Sequence, residues 1–345
     1  NIFKYITFRA IAGCGTSFFI FLLFYPQFVK FLQAKGLLEN VKRKGCEDLY
    51  KYHQNKEGIP TSGGILIILS TVIASVLFCD ISSPYVLLAI FSLIFLGYVG
   101  YIDDVYKIKR GKGGLKKRYK LLAQFVWGVT VGGVLYLKSG YPAVVEIPFF
   151  KHIYLDIGVL YLIFTAIVVM ATSNAVNLTD GLDGLAIGAV IIASTAFAIM
   201  AYIAGNVKFS SYLFVSYIPT AGELAIFLSS LIGASVGFLW YNAYPAEIFM
   251  GDSGALALGG AIATTAIIIK KELLLLIIGG LFVIETISVL IQIFSFKLRG
   301  KKVFYFAPIH HHFQVKGWPE PKIIVRFWII SSLFALLSLL TLKIR

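Results

Sequence analysis

The chain has 345 residues, 58% of them hydrophobic, with only 17 Asp or Glu against 31 Lys or Arg. That balance excludes an ordinary soluble domain. It also argues against nucleic-acid binding as the use of the +14 net charge, because no basic soluble segment exists to present it.

A membrane helix needs about 20 mostly apolar residues. In chain order the apolar runs are 10–30, 63–79, 84–102, 121–137, 156–174, 185–203, 223–241, 254–269, 272–296 and 323–343. They predict an all-α integral membrane protein with ten transmembrane helices, a single polytopic domain over 1–345. The runs are continuous, not alternating segments of about ten residues, which argues against a barrel. Arg9 leads into the first run without a clear small-residue cleavage site, so that run reads as a retained span. Cys14, Cys46 and Cys79 are scattered and lack metal spacing.

Alternating the loops puts Lys30, 33–62, 103–120 and 297–326 on one side, with 22 Lys and Arg, and leaves 9 on the other. The positive-inside rule makes the first side cytoplasmic. The basic loops also face anionic membrane lipids. Lys270 and Lys271 fall on the outer side, against the rule. Also on that side, Gly140, Pro142, Pro148 and the alternating Val144-Val145-Glu146-Ile147 predict a short β-hairpin. Residues 204–222 predict a surface helix.

Five acids fall at inner ends of the spans: Asp103, Asp104, Asp180, Asp183 and Asp252. A carboxylate at mid-bilayer costs about 2.5–3.5 kcal/mol, so acids retained at the rim are functional candidates, with a metal as first partner.

The first motif in chain order is Lys56-Glu57-Gly58-Ile59-Pro60-Thr61-Ser62-Gly63-Gly64. It reads as a turn and helix start, or as a place where Lys56 and Thr61 reach phosphate oxygens. Asp103-Asp104 follow an apolar run and sit at the negative end of a helix, where acids are disfavoured. They are solvated rim acids, or a divalent-metal site or general base. Lys107, Lys109, Arg110, Lys112, Lys116, Lys117, Arg118 and Lys120 come next. Acids for Mg²⁺ beside cations for phosphate suit phosphoryl transfer.

Asn174 through Leu185, with Asn177, Asp180, Gly181, Leu182 and Asp183, joins two spans. Asp183 as a helix cap explains one of these residues. It leaves the second Asp, two Asn and a Thr unexplained, and the glycines permit close approach to a ligand. Trp240 through Gly254 carries Asn242, Glu247, Phe249 and Asp252. Asp252 reads as a cap or a metal ligand, and Phe249 as interfacial belt or a stacking surface. Glu285 and Gln292 interrupt an apolar run, and Gln292 is nearer the inner end. His310-His311-His312 lacks zinc geometry, since adjacent histidines do not share a face. A phosphate contact or proton transfer fits it better.

Taken together these segments resemble the bacterial phospho-N-acetylmuramoyl-pentapeptide transferase family, of the polyprenyl-phosphate N-acetylhexosamine-1-phosphate transferases. The resemblance is carried by Pro60 through Gly64, Asp103-Asp104, Asn174 through Ala186, Asn242 through Asp252, the His triplet, and Gly317-Trp318-Pro319-Glu320-Pro321 leading to Val325 through Ile330. It implies transfer of phospho-N-acetylmuramoyl-pentapeptide from its UDP form to undecaprenyl phosphate, with Mg²⁺, and a homodimer. By position it implies Asp252 and Asp103 as metal ligands, Asp103 also as base, and Asp104 beside them. It implies Lys56, Asn177, Asp180, Gly181, Leu182, Asp183, Asn242 and Phe249 around the uridine. His311 becomes a catalytic or diphosphate contact. Thr61, Lys107, Lys120, Asn174, Glu247, Gln292, His310 and His312 become further substrate contacts. Lys51, Tyr52, Ile59, Ser62, Glu247, Ser253 and Ala255 depart from the family pattern. Two rival readings are a related transferase using UDP-N-acetylglucosamine and a secondary transporter. The acids at one rim and the lack of a repeat disfavour the transporter.

Overall fold

The computed structural model describes residues 2–39, 56–110, 114–138, 141, 144–150 and 153–344. Lys51, Tyr52, Cys46 and Lys112 lie outside the described residues.

After a short 3-10 turn, Ile2–Lys4, come α1 Ile6–Ala34, α2 Gly64–Phe78, α3 Pro84–Arg110 and α4 Lys117–Tyr136. The strands β1 Val144–Glu146 and β2 Tyr154–Asp156 form the expected hairpin. Then follow α5 Leu160–Thr179, α6 Leu185–Ala204, α7 Val207–Leu213, α8 Glu223–Asn242, α9 Gly251–Ile268, α10 Leu275–Ile278, α11 Gly280–Arg299, α12 Ile309–Val315 and α13 Glu320–Ile344. The structure is an all-α integral membrane protein.

Helices stand at all ten expected places, and eight are long and apolar enough to cross a membrane. The other two are α2 and α4. With 15 residues, α2 spans about 22 Å at 1.5 Å per residue, short of a hydrocarbon core of about 30 Å. The first turn of α4 holds Lys117, Arg118 and Lys120. The expected continuous run 272–296 is broken at Gly279, between α10 and α11.

The centre of the bundle is α9, in which every residue from Asp252 to Ile268 is buried. It packs against α2, α3, α5 and α6. Its sequence is small on all sides, as a helix surrounded by other helices requires. Two close approaches bear on the site. A Cβ on Gly64 would fall on the backbone of Gly254, and one on Gly100 on the Asp252 carbonyl. These glycines let α2 and α3 converge on the start of α9.

At the other end of the bundle the hairpin pairs Val144 with Asp156 and Glu146 with Tyr154. Lys270 and Lys271, which broke the charge rule, are both buried there. Lys271 pairs with Glu146 of the hairpin. Lys270 Nζ donates to the Tyr161 hydroxyl at 2.9 Å and lies 4.1 Å above the Tyr141 ring. Lys271 fastens the hairpin and Lys270 is held against α5, so neither is a loop charge in water of the kind the topogenic rule counts. The expected surface helix is α7, capped by Asn206, whose side chain accepts from Lys208 N and Phe209 N.

Candidate active site

α3 does not end before Asp103. It continues to Arg110, so Asp103, Asp104 and Lys107 share its last two turns. The i,i+4 spacing puts Lys107 on the face of Asp103, with Nζ 2.8 Å from Asp103 Oδ2. The same ammonium is 2.6 Å from Asp252 Oδ1 and 4.0 Å from Asp104 Oδ1. Lys120, in the first turn of α4, pairs with Asp252 Oδ2 and lies 3.6 Å from Asp103 Oδ2. All three acids are buried. Three carboxylates with two lysines between them are neutralised enough to persist at a membrane rim.

The acids are not equivalent. Asp104 Oδ1 accepts from Asp252 N at 3.0 Å, and Oδ2 from Ser253 N at 3.1 Å and Ser62 Oγ at 2.9 Å. It therefore satisfies the free N–H groups that open α9, across from another helix. Asp252 does not cap its own helix, since the cap position is Met250 and makes no side-chain bond. Asp103 Oδ1 accepts from Leu115 N at 2.6 Å, which folds the 114–116 turn over the pair. Gly114 has φ +55°, and a Cβ there would strike Asp103.

The residues read as the nucleotide pocket form a second cluster. Lys56 Nζ lies 2.6 Å from Asp183 Oδ1 and 2.7 Å from Glu320 Oε1. Glu320 Oε1 also accepts from Asp183 N at 2.9 Å, and Asp183 Oδ2 from Ala246 N at 3.0 Å. Asp183 thus clamps three segments and does not cap α6, which begins behind Gly184 at φ +76° without a side-chain cap. Asn242 Oδ1 accepts from Gly184 N, and its Nδ2 donates to Ile248 O. Leu182 is buried beneath this loop. Phe249 N donates to Pro60 O, and Gly63 N to Phe249 O, both at 2.8 Å. That pairing sets the half-buried Phe249 and the buried Thr61 beside the acids.

Asp180, half-buried at the C-terminal end of α5, is near enough to acids of both clusters to feel their charge. Burial first, then the charges of Asp252, Asp104, Glu39 and Asp183, push its carboxyl up to about 8. Asn177 lies on the last turn of α5, one turn before it.

The three histidines take different directions. His310 and His311 turn their Nε2 atoms toward Gly181, where a Cβ would collide with the His310 ring. His311 Nδ1 is 3.1 Å from Gln314 Oε1. His312 instead stacks on Tyr305, 5.3 Å between centroids, and accepts from Tyr305 N at 3.1 Å. Burial and Lys316 lower its pKa.

Four expected contacts are not brought to this centre. Asn174 Nδ2 donates to Gln124 Oε1 and Met170 O, both at 2.7 Å, tying α5 to α4. Glu247 is exposed and faces Tyr25 of α1, 3.4 Å from its hydroxyl. Gln292 accepts from Val303 N and Phe304 N and donates to Phe304 O, so it pins a loop. His312 is the fourth.

The sequence profile of glycosyl transferase family 4 matches residues 85–270. The phospho-N-acetylmuramoyl-pentapeptide-transferase of Thermodesulfovibrio yellowstonii is 48% identical over all of this chain and 96% of its own length. The enzymes of the same name from Desulfotalea psychrophila and Citrifermentans bemidjiense are 45% and 44% identical over the same shares. The chain belongs to the phospho-N-acetylmuramoyl-pentapeptide transferase family.

Against that family's pattern, the Ser62 departure acquires a use: its hydroxyl is one of the three donors to Asp104. Ser253 serves through its backbone N–H, which any residue but proline supplies. Sequence reasoning gave Glu320, Gly114 and Leu115 no role. Glu320 stands in a motif already singled out, and an acid opening an apolar helix was its signal. A backbone N–H donor such as that of Leu115 leaves no signal in side-chain identity.

Among the described residues, no three His, Cys, Asp or Glu side chains gather as a metal cage. The donor chemistry nevertheless suits a hard cation. Asp103 Oδ2 and Asp252 Oδ1 converge on one cationic centre, Lys107 Nζ. Mg²⁺ is commonly held by one or two carboxylates, water and substrate phosphates.

Proposed function

We propose that the chain transfers phospho-N-acetylmuramoyl-pentapeptide from UDP-N-acetylmuramoyl-pentapeptide to undecaprenyl phosphate. An oxygen of the lipid phosphate attacks the sugar-linked phosphorus. The bond from that phosphorus to the bridging oxygen breaks, and UMP leaves with the electron pair. The relatives' shared name supports this reading, as does a multi-pass membrane body with acids and lysines at one rim. The observation that carries it is the convergence of Asp103 and Asp252 on Lys107, at 2.8 and 2.6 Å.

Asp103 and Asp252 would hold Mg²⁺. When bound, the cation supplies neutralisation of charge between an anionic nucleophile and an anionic diphosphate. Asp103 would also take a proton from the attacking phosphate. Lys107 and Lys120 bind phosphate oxygens once freed from the carboxylates. Asp104 fixes where Asp252 sits. The 180–184 loop, Asn242 and Phe249 receive the uridine, with Phe249 stacking on uracil, and His310 and His311 face the diphosphate side. The 22 basic residues on the side of the acids support a cytoplasmic site in a bacterial inner membrane.

Asp103→Asn and Asp252→Asn, assayed for lipid-linked product with Mg²⁺, test the assignment. Both are expected to lose nearly all activity while folded, and near wild-type rates for both would sink it. Comparing the pentapeptide substrate with UDP-N-acetylglucosamine separates the related transferase reading.

A further inference from the structure

Glu285, to which the reaction outlined above gives no part, forms a buried pair with His310. Glu285 lies in the mostly apolar first half of α11 and is the one charged residue between Gly280 and Phe296. His310 opens the histidine triplet in α12. His310 Nδ1 is 3.0 Å from Glu285 Oε2, and both side chains are fully buried. The approach is an ion-pair distance without hydrogen-bond geometry: both oxygens of Glu285 and both ring nitrogens of His310 are buried with no hydrogen-bond partner among the described residues.

An ionisable group in a membrane-spanning helix is expensive, and it normally faces the protein interior toward a partner. Here the imidazole is that partner. The ring has two ends. A carboxylate 3.0 Å from Nδ1 favours the proton on that nitrogen by charge, which leaves Nε2 as the end that can meet a ligand. Nε2 points at Gly181, so closely that any Cβ there would collide with it. Gly181 stands between Asp180 and Asp183, in the loop assigned to the nucleotide. The free nitrogen is therefore aimed at the site, and the acid sits behind it.

We propose that Glu285 is a positioning residue: it fixes the orientation and tautomer of His310, so that Nε2 meets a polar group of the nucleotide-diphosphate substrate over Gly181. This rests on the function proposed above. Glu285 touches no substrate and acts only through the ring. The same logic gives Gly181 its reason, since the absence of a side chain leaves Nε2 its approach.

The test uses the full chain in detergent, labelled with ¹⁵N in its histidine rings, with His310 assigned from the signal lost in His310→Asn. The wild type is expected to carry the proton on Nδ1 of His310, and Glu285→Leu to lose that preference. Glu285→Gln, which keeps volume and serves if the leucine variant does not fold, is expected to lower kcat/KM about 10–100-fold, the range seen when the group that orients a metal-bound histidine is removed, taken here as the scale for an orienting carboxylate. Placed in a His310→Asn background, Glu285→Gln is expected to add no further loss. An unchanged tautomer in the folded Glu285 variant, or losses that multiply in the double variant, would overturn the proposal. A wild type that makes no lipid-linked product would refute the reaction instead, and the ring spectrum would still decide the pair.

Discussion

Asp104 Oδ1 accepts the backbone N–H of Asp252 at 3.0 Å, so one acid of α3 places the acid that opens α9. With Ser253 N and Ser62 Oγ as further donors, every strong bond of Asp104 is structural. The adjacent acids of the pair thus divide by direction. Asp103 faces the lysines, and Asp104 faces the helix start.

That division predicts different responses to substitution. Asp104→Ala removes an acceptor for the first N–H groups of α9 and should lower stability by about 1–2 kcal/mol, as lost helix caps do. Asp104→Asn keeps one acceptor oxygen and should retain measurable activity, whereas Asp103→Asn should retain almost none. Thermal unfolding and UMP release on the three variants check this. Equal loss in both Asn variants would contradict it.

The Lys56, Asp183 and Glu320 cluster predicts an effect on binding more than on chemistry. Glu320→Gln takes one of two acids from the buried Lys56 ammonium, which keeps Asp183 at 2.6 Å. The stability loss should stay below the roughly 3–5 kcal/mol of a buried charge left with no partner. The 183–184 loop loosens, so KM for the UDP substrate should rise several-fold with kcat less affected. Initial-rate kinetics against nucleotide concentration decide it, and a change confined to kcat would count against the nucleotide assignment of this loop.

Asp180 predicts a pH dependence of stability. Its carboxyl titrates near 8 in the folded chain against an ordinary 3.8, because it is buried among other acids. The folded state therefore holds a proton that the unfolded chain has released. Its contribution is fully present below about 4 and is lost as pH rises through about 8. Asp180→Asn lacks this titration. Its melting temperature relative to wild type should rise between pH 5 and pH 8, in the absence of substrate and metal. A difference that is flat or falls across this range would show that the carboxyl is not held protonated.

Much of this architecture was readable from hydropathy. Runs of about 20 apolar residues have one inexpensive solution in a bilayer, so the helices appear where the runs are. Their ends were less readable. α3 outlasts its apolar run by two turns because Asp103 and Lys107 satisfy each other on one face, which a hydropathy reading takes as a boundary. Lys270 and Lys271 misled for a related reason, since charge counting assumes water and they are buried against Glu146 and Tyr161. The acids crowded at one rim in the sequence, Asp103, Asp104 and Asp252, also stand together in the structure. Asn174, Glu247 and Gln292 instead bond to another helix, an aromatic hydroxyl and a loop backbone. Gln124, Tyr25 and Phe304, the partners that hold them outside their own segments, are 50, 222 and 12 residues away. Nothing near them in sequence indicates that pairing.

The central claim is that the acids of α3 and α9 join a nucleotide-linked phosphosugar to a lipid phosphate. The most direct measurement is UMP release from UDP-N-acetylmuramoyl-pentapeptide by the purified chain, with polyprenyl phosphate and Mg²⁺ each supplied or withheld. The account predicts UMP only when both are present, matched by an equal amount of lipid-linked product, and its loss in Asp252→Asn. UMP release that ignores the lipid phosphate, or that persists in the folded Asp252→Asn protein, would contradict it.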